Sequence, residues 1–67
     1  MTDSRLLREY FSASGLKYGA VAEKLGLSRQ SLQRKIENKS EFRASEIQAL
    51  VQILQIDQTE RDRIFFA

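Results

Sequence analysis

The sequence predicts an all-α fold of five short helices. Apolar residues recur at helical spacing through most of the chain, and no segment keeps the strict alternation of a β-strand. Glycines and capping residues also stand where one helix must end and the next begin. With 67 residues the chain has the length of one small domain, so we expect a single domain over residues 1–67.

The first helix is predicted from about Asp3 or Ser4 to Ala13. Asp3 or Ser4 can cap this helix, because the side chain of either residue can accept a hydrogen bond from a free backbone N–H. Gly15 ends it, because glycine readily adopts the left-handed conformation that closes a helix. Its apolar face consists of Leu6, Leu7, Tyr10 and Phe11.

The second and third helices are short and separated by a tight turn. The second covers residues 18–25 and stops at Gly26. Ser28 is the expected N-cap of the third helix, which runs to about Glu37. The core-facing residues of this third helix are Leu32 and Ile36. Its four long polar side chains remain outside: Arg29, Gln30, Gln33 and Arg34.

After a loop over residues 38–43, the fourth helix has the clearest apolar periodicity in the chain. Its apolar residues stand at i, i+3, i+4 and i+7: Ile47, Leu50, Val51 and Leu54. Ser45 and Gln48 have the spacing of a capping box at its start. A short fifth helix then carries three apolar residues: Ile64, Phe65 and Phe66.

The charge is unevenly distributed along the chain. The formal net charge is only +2, but residues 17–43 carry seven basic side chains against three acidic ones. Residues 44–67 carry two basic and four acidic side chains. Such a polarity can orient a protein on a polyanion such as nucleic acid. Charge alone is equally consistent with a solvated surface of mixed sign.

Composition argues against several classes of function. The chain has no histidine and no cysteine, which removes the commonest metal ligands, general bases and thiol nucleophiles. We therefore expect no enzyme activity, no metal site and no cofactor. No apolar run approaches the roughly 18 residues of a membrane span, and no signal-peptide stretch opens the chain. These observations favour a small cytoplasmic binding protein.

The second and third helices have the spacing of a helix-turn-helix. Ala22 is small enough to let the two helices cross closely, and Gly26 makes the turn four residues later. Leu32, six residues further on, anchors the third helix in the core. In this arrangement the N-terminal side chains of the second helix of the motif face outward, toward the DNA major groove.

The segment VAEKLGLSRQSLQRKIENKSEF resembles the Cro/repressor type of helix-turn-helix protein, in particular the small Cro-like phage regulators. The resemblance covers about residues 4–56. It implies a compact five-helix, lambda-repressor-like DNA-binding domain in which helices two and three form the helix-turn-helix. It also implies a transcriptional regulator, a phage repressor that places helix 28–37 in the major groove of an operator and acts by occupancy.

Two positions depart from the usual pattern of this family. Three residues after Leu32 the family commonly has an apolar residue, where this chain has Lys35. Ile36 takes the apolar role one residue later, which can displace the last turn of the recognition helix. Asn38 stands where the similar Cro-like regulators have glycine, and asparagine tolerates the left-handed conformation that a helix end requires.

The resemblance assigns site residues by position. Arg29, Gln30 and Arg34 match the base-reading positions of the family, and Gln33 flanks them within reach of bases or backbone. The expected contacts to the DNA backbone come from Lys17, Tyr18, Ser28, Ser31, Lys35, Asn38, Lys39, Ser40 and Arg43. The same polar residues also suit an ordinary solvated helix face. Arg34 could pair with Glu37 or Asn38, and Tyr18 could simply cover the edge of the core.

The chain ends in an apolar cluster that suggests a homodimer. Adjacent helical positions point about 100° apart, so Phe65 and Phe66 cannot both face the same core. We therefore expect a dimer interface that includes Ile64, Phe65 and Phe66. Two recognition helices one turn of DNA apart, roughly 34 Å, would favour palindromic operators.

Two functional hypotheses remain from the sequence. The first is a sequence-specific regulator that binds double-stranded operator DNA. The second is a phage antirepressor or modulator that binds a repressor protein instead of DNA, or as well as DNA. In the second case the helix-three side chains or the C-terminal aromatic residues contact protein.

Overall fold

The computed structural model describes residues 1–66, which form five α-helices joined by short turns. The helices are α1 (Ser4–Ser14), α2 (Tyr18–Leu25), α3 (Arg29–Ile36), α4 (Ala44–Leu54) and α5 (Gln58–Phe65). Residues 1–66 contain no β-strand, so the all-α prediction is confirmed. None of these helices is long and apolar enough to cross a membrane.

The core is built from two buried side chains of each helix. These pairs are Leu7 and Phe11, Val21 and Ala22, Leu32 and Ile36, Leu50 and Leu54, and Ile64 and Phe65; Ile56, between α4 and α5, completes the set. Helices of 8 to 11 residues are marginal in isolation. Each helix therefore depends on the burial of its apolar face against the others.

Capping residues define the start of α1 and α3 and the end of α1 and α2. Asp3 caps α1 by accepting a hydrogen bond from the backbone N–H of Leu6 at 3.1 Å. Gly15 ends α1 with φ 72°, and Gly26 ends α2 with φ 73°. Both glycines therefore adopt the left-handed conformation predicted for them, and Ser28 is the N-cap of α3, as expected.

The start of α4 differs from the prediction. The helix begins at Ala44, so Ser45 and Gln48 lie inside it and do not form the expected capping box. Instead the carboxylate of Glu46 accepts a hydrogen bond from the backbone N–H of Arg43 at 2.8 Å. The carboxylate thus satisfies a backbone donor that precedes the first turn of the helix.

Two glycine substitutions, one inside α2 and one at the residue that ends it, should change stability in opposite directions. Gly19 lies inside the helix, and a Cβ built there would meet only Cδ of Arg29, at an ordinary 3.8 Å. Gly19→Ala should therefore raise the free energy of unfolding by about 0.5 kcal/mol, because alanine loses less backbone entropy on folding. Gly26→Ala should lower it by about 1 kcal/mol, since alanine is strained at positive φ. Urea unfolding of both variants measures the two effects; a destabilised Gly19→Ala variant would contradict this account of α2.

Candidate nucleic-acid interface

The turn between α2 and α3 is held by backbone hydrogen bonds and by the burial of two side chains. The N–H of Leu27 donates to the carbonyl of Ala22 at 2.9 Å, and the N–H of Gly26 donates to the carbonyl of Glu23 at 3.1 Å. Ala22 and Leu32 are both buried. The helices therefore pack directly against each other through the residues that the spacing predicted.

This packing leaves the polar face of α3 open to solvent. Arg29, Gln30, Gln33 and Arg34 are all exposed. Gln33 donates a long hydrogen bond of 3.3 Å to Glu37. Within residues 1–66 neither guanidinium on this face forms an ion pair, so the alternative pairing of Arg34 with Glu37 is not observed. Both guanidinium groups are free to bind an external partner.

The first turn of α3 is ordered by its own serines. The hydroxyl of Ser28 accepts from the backbone N–H of Ser31 at 3.0 Å and donates to the hydroxyl of Ser31 at the same distance. The stem of Arg29 passes over the first turn of α2, beside Gly19. These contacts fix the start of the helix from which the base-reading side chains are expected to project.

Tyr18 and Lys17 lie at the start of α2 in different environments. The ring of Tyr18 is half-buried and packs edge-on against Phe11, with ring centroids 4.7 Å apart. The ring therefore covers the edge of the core, and the phosphate contact expected of Tyr18 stays a prediction. Lys17 immediately precedes α2 and is exposed.

Lys35 is engaged inside the protein, whereas the sequence predicts a phosphate contact for it. Its ammonium Nζ lies 2.6 Å from Oε1 of Glu46, and the two side chains are only 12% and 8% exposed. A buried ammonium that is already paired with a carboxylate is a poor phosphate ligand. The polar residue at this usually apolar position is accommodated because α4 supplies the opposite charge.

The environment of Glu46 changes its acidity. Burial by itself raises the pKa of a carboxyl group. Here the hydrogen bonds from Lys35 and from the backbone of Arg43, together with the positive charges of these two residues, outweigh burial. The net effect lowers the pKa of Glu46 below its ordinary value. The carboxylate is therefore ionised at neutral pH, as the ion pair requires.

Asn38 also differs from its expected role. Its φ of 64° confirms the left-handed conformation predicted at the end of α3. Its side-chain amide, however, binds the N-terminal segment of the protein: Oδ1 accepts from the N–H of Thr2 at 2.9 Å, and Nδ2 donates to the carbonyl of Thr2 at 2.7 Å. Ser4 adds a hydrogen bond from its hydroxyl to the carbonyl of Ile36. The amide of Asn38 thus joins the N-terminal segment to α3 and is not free for phosphate.

The remaining basic residues after α3 are solvent-accessible. Lys39 is 61% exposed at its side chain and lies 3.6 Å from the carboxylate of Glu37. Ser40 and Arg43 are exposed as well. The backbone N–H of Lys39 donates to the carbonyl of Arg34 at 2.9 Å, which fastens the start of the loop to the last turn of α3. This loop therefore follows the polar face of α3 directly.

The C-terminal cluster divides between core and surface. Ile64 is fully buried and Phe65 is 6% exposed, whereas Phe66 is 63% exposed. Phe65 packs edge-on against Phe42, with centroids 5.6 Å apart. Ile64 and Phe65, which the sequence predicts at a dimer interface, therefore lie in the core of the single chain. Phe66 alone remains available, beside a shallow depression lined by Ala44, Ile47, Gln48, Val51 and Arg61.

Glu46 is the site residue that sequence reasoning missed. A signal was present, because a lysine at a usually apolar helix position requires a buried acidic partner. Which carboxylate meets it depends on how α4 packs against α3. No group of three or more potential metal-ligating side chains occurs in the described part of the chain.

Two packed helices, a glycine turn and an exposed polar face on the second helix define a helix-turn-helix protein. The helix-turn-helix domain family matches residues 4–64, and the chain belongs to that family. Comparison with curated proteins and with solved structures gave no significant match. The family and the fold together indicate a DNA-binding regulator.

Removal of the Glu46 charge should make stability less sensitive to acid. The lowered pKa means that ionised Glu46 stabilises the fold above about pH 4.5, and that this contribution is lost as the pH falls through the folded-state pKa. Glu46→Gln should lower the free energy of unfolding by about 2 kcal/mol at pH 7, and the difference from wild type should shrink by pH 3. Urea unfolding at pH 7, 5 and 3 measures this trend.

Glu37→Gln is the matched control for this measurement. Its carboxylate lies 3.6 Å from the exposed ammonium of Lys39. Ion pairs of this exposed kind contribute at most about 1 kcal/mol, so the loss at pH 7 should be much smaller than for Glu46→Gln. Equal losses for the two variants would contradict the importance assigned to burial.

Proposed function

We propose that this protein is a sequence-specific transcriptional regulator of the Cro-like phage type. It binds double-stranded operator DNA in the cytoplasm as a single helix-turn-helix domain over residues 1–67. Helix 28–37 enters the major groove, and the protein represses by occupying the operator, without catalysis. The observation that carries this proposal is the exposed polar face of α3, on which both guanidinium groups lack an ion-pair partner within residues 1–66.

The side chains on this face have the chemistry of base recognition. The guanidinium groups of Arg29 and Arg34 match the O6 and N7 acceptors of guanine. The amides of Gln30 and Gln33 match the donor and acceptor of adenine. Each well-placed pair discriminates against the wrong base by about 1–3 kcal/mol. The four residues project from one short helix whose opposite face is buried, so they can approach the same groove.

Phosphate contacts come from exposed residues on either side of the motif. Lys17 precedes α2, and Lys39, Ser40 and Arg43 follow α3. Ser28 and Ser31 contribute through their hydroxyls at the start of α3. These contacts position the protein on the duplex and make binding depend on salt, but they carry no sequence information. Lys35 and Asn38 are left out of this set because the ammonium of Lys35 is buried against Glu46 and both ends of the Asn38 amide are bound to the backbone of Thr2.

Selection of bound DNA from a random pool tests the proposal directly. We expect a defined consensus sequence and an affinity that falls steeply with salt, because neutralised phosphates release counterions. Binding that is weak for every sequence and independent of salt would reject DNA as the partner. It would favour the second candidate function.

Two substitutions should separate base contacts from phosphate contacts. Gln30→Ala should lower affinity for the selected sequence by about fivefold or more and relax the preference at one base pair, while binding to random DNA changes little. Lys39→Ala should weaken all sequences together and reduce the salt slope by about 1. Titrations of both DNAs at several salt concentrations measure these effects. Equal losses on both DNAs for Gln30→Ala would exclude it as a base-reading residue.

The proposed regulator acts as a homodimer through Phe66. The support is the exposure of this large aromatic ring beside the apolar residues Ile47 and Val51. The guanidinium of Arg61 lies 5.9 Å from the centroid of the ring. Burial of such a patch against a second copy removes apolar surface from water and places two recognition helices on one operator.

Phe66→Ser should therefore shift the protein toward monomer. Sedimentation at micromolar concentration should show a fall in apparent mass relative to wild type, because the apolar contact is lost. Leu16→Ser is the matched control, since Leu16 is also an exposed apolar residue, at 39% exposure, but lines a different depression. An unchanged monomer fraction in Phe66→Ser would reject this interface.

The second candidate is a modulator that binds a repressor protein. The same exposed Phe66 and its apolar neighbours favour it, because an aromatic side chain in an apolar depression suits a protein partner. The DNA-binding experiments decide between the two candidates, since this alternative does not require a consensus sequence or a steep salt dependence.

A further inference from the structure

One carboxylate oxygen joins both ends of the loop that follows α3. Oε1 of Glu46 accepts from Nζ of Lys35 at 2.6 Å and from the backbone N–H of Arg43 at 2.8 Å. Lys35 belongs to the last turn of α3, and Arg43 is the residue immediately before α4. Glu46 therefore binds Lys35, which precedes the loop over residues 38–43, and Arg43, which is the last residue of that loop.

Helix α3 and the loop that follows it carry different parts of the proposed DNA-binding surface. The exposed base-recognition face lies on α3, and the exposed phosphate-contacting residues Lys39, Ser40 and Arg43 lie in the loop. Their relative position depends on how the loop is held against the helix. Phe42 supports the middle of the loop by packing on Phe65, and the shared oxygen of Glu46 supports both ends.

Stability alone does not account for a buried ion pair here. Removing a lysine and a glutamate from water has a large desolvation cost, and a well-packed apolar pair in the same space is often at least as stable. Apolar contacts have no preferred direction, whereas a charge-assisted hydrogen bond holds its two groups at a defined distance and angle.

We propose that Lys35 and Glu46 are positioning residues for DNA recognition. They hold the phosphate-contacting loop in one place relative to the base-reading side chains of α3. This inference rests on the proposed function as a DNA-binding regulator. Specific recognition requires base contacts and phosphate contacts in the same register. Binding to random DNA tolerates a looser arrangement, because it depends on phosphates alone.

The test is the double variant Lys35→Met/Glu46→Leu, which replaces the ion pair with apolar side chains. Its affinity is measured for the sequence selected from the random pool and for random DNA, at a temperature where unfolding curves show the protein folded. We expect the ratio of the two affinities to fall about tenfold, mostly through weaker binding to the selected sequence. Loss of stability alone would reduce the folded fraction for both DNAs equally and leave the ratio unchanged.

The matched control is Arg5→Gln/Glu9→Gln. This variant also removes one positive and one negative charge, from a surface pair 3.6 Å apart on α1. Its affinity ratio should equal that of wild type, so any general effect of charge removal is accounted for. If the apolar double variant does not fold, Lys35→Met/Glu46→Gln takes its place, since glutamine keeps an acceptor for the N–H of Arg43.

The outcomes separate this inference from the function on which it rests. If wild type shows no preferred sequence, the proposed function fails and the inference fails with it. If wild type is specific and the folded double variant keeps the same affinity ratio, the function stands and the positioning role is rejected. A reduced ratio in the double variant, with an unchanged ratio in the control, supports the positioning role.

Discussion

The shared core is the constraint on which the rest of this protein depends. Its helices are at most 11 residues long, so none gains enough from its own backbone hydrogen bonds to persist alone. Each helix must bury an apolar face against the others, and in residues 1–66 the helices supply ten of the eleven buried apolar side chains. The position of α3 follows from this requirement: Leu32 and Ile36 are fixed in the core, and the opposite face of the helix is left to solvent.

That constraint explains why the recognition surface can be so polar. A helix as hydrophilic as α3 is not stable by itself. Its two buried residues and the serine cap at its start stabilise it within the fold. The four exposed side chains are not part of the buried core, so core packing does not dictate their identity and they can serve an external partner. The proposed base recognition and the core packing thus use opposite faces of the same eight residues.

The Lys35–Glu46 pair is the exception to this division between apolar core and polar surface. It brings a charged side chain of α3 inward and meets it with a carboxylate from α4 at 2.6 Å. The same carboxylate accepts from the backbone before α4, so a single group serves helix capping, charge neutralisation and loop closure. In the described part of the chain no buried side-chain nitrogen or oxygen lacks a hydrogen-bond partner, so this polar insertion is fully satisfied.

Local sequence signals determined the helices and the outward face of α3. Gly15 and Gly26 end helices because glycine adopts positive φ without strain, and apolar spacing identifies the buried side of each helix. The roles of Lys35, Asn38 and Phe65 could not be predicted in this way. Each depends on a partner distant in the chain: Glu46 for the lysine, Thr2 for the asparagine and Phe42 for the aromatic ring. Periodicity shows which face of a helix is buried, but only the packing of helices decides which polar groups meet, and therefore which charges remain for DNA.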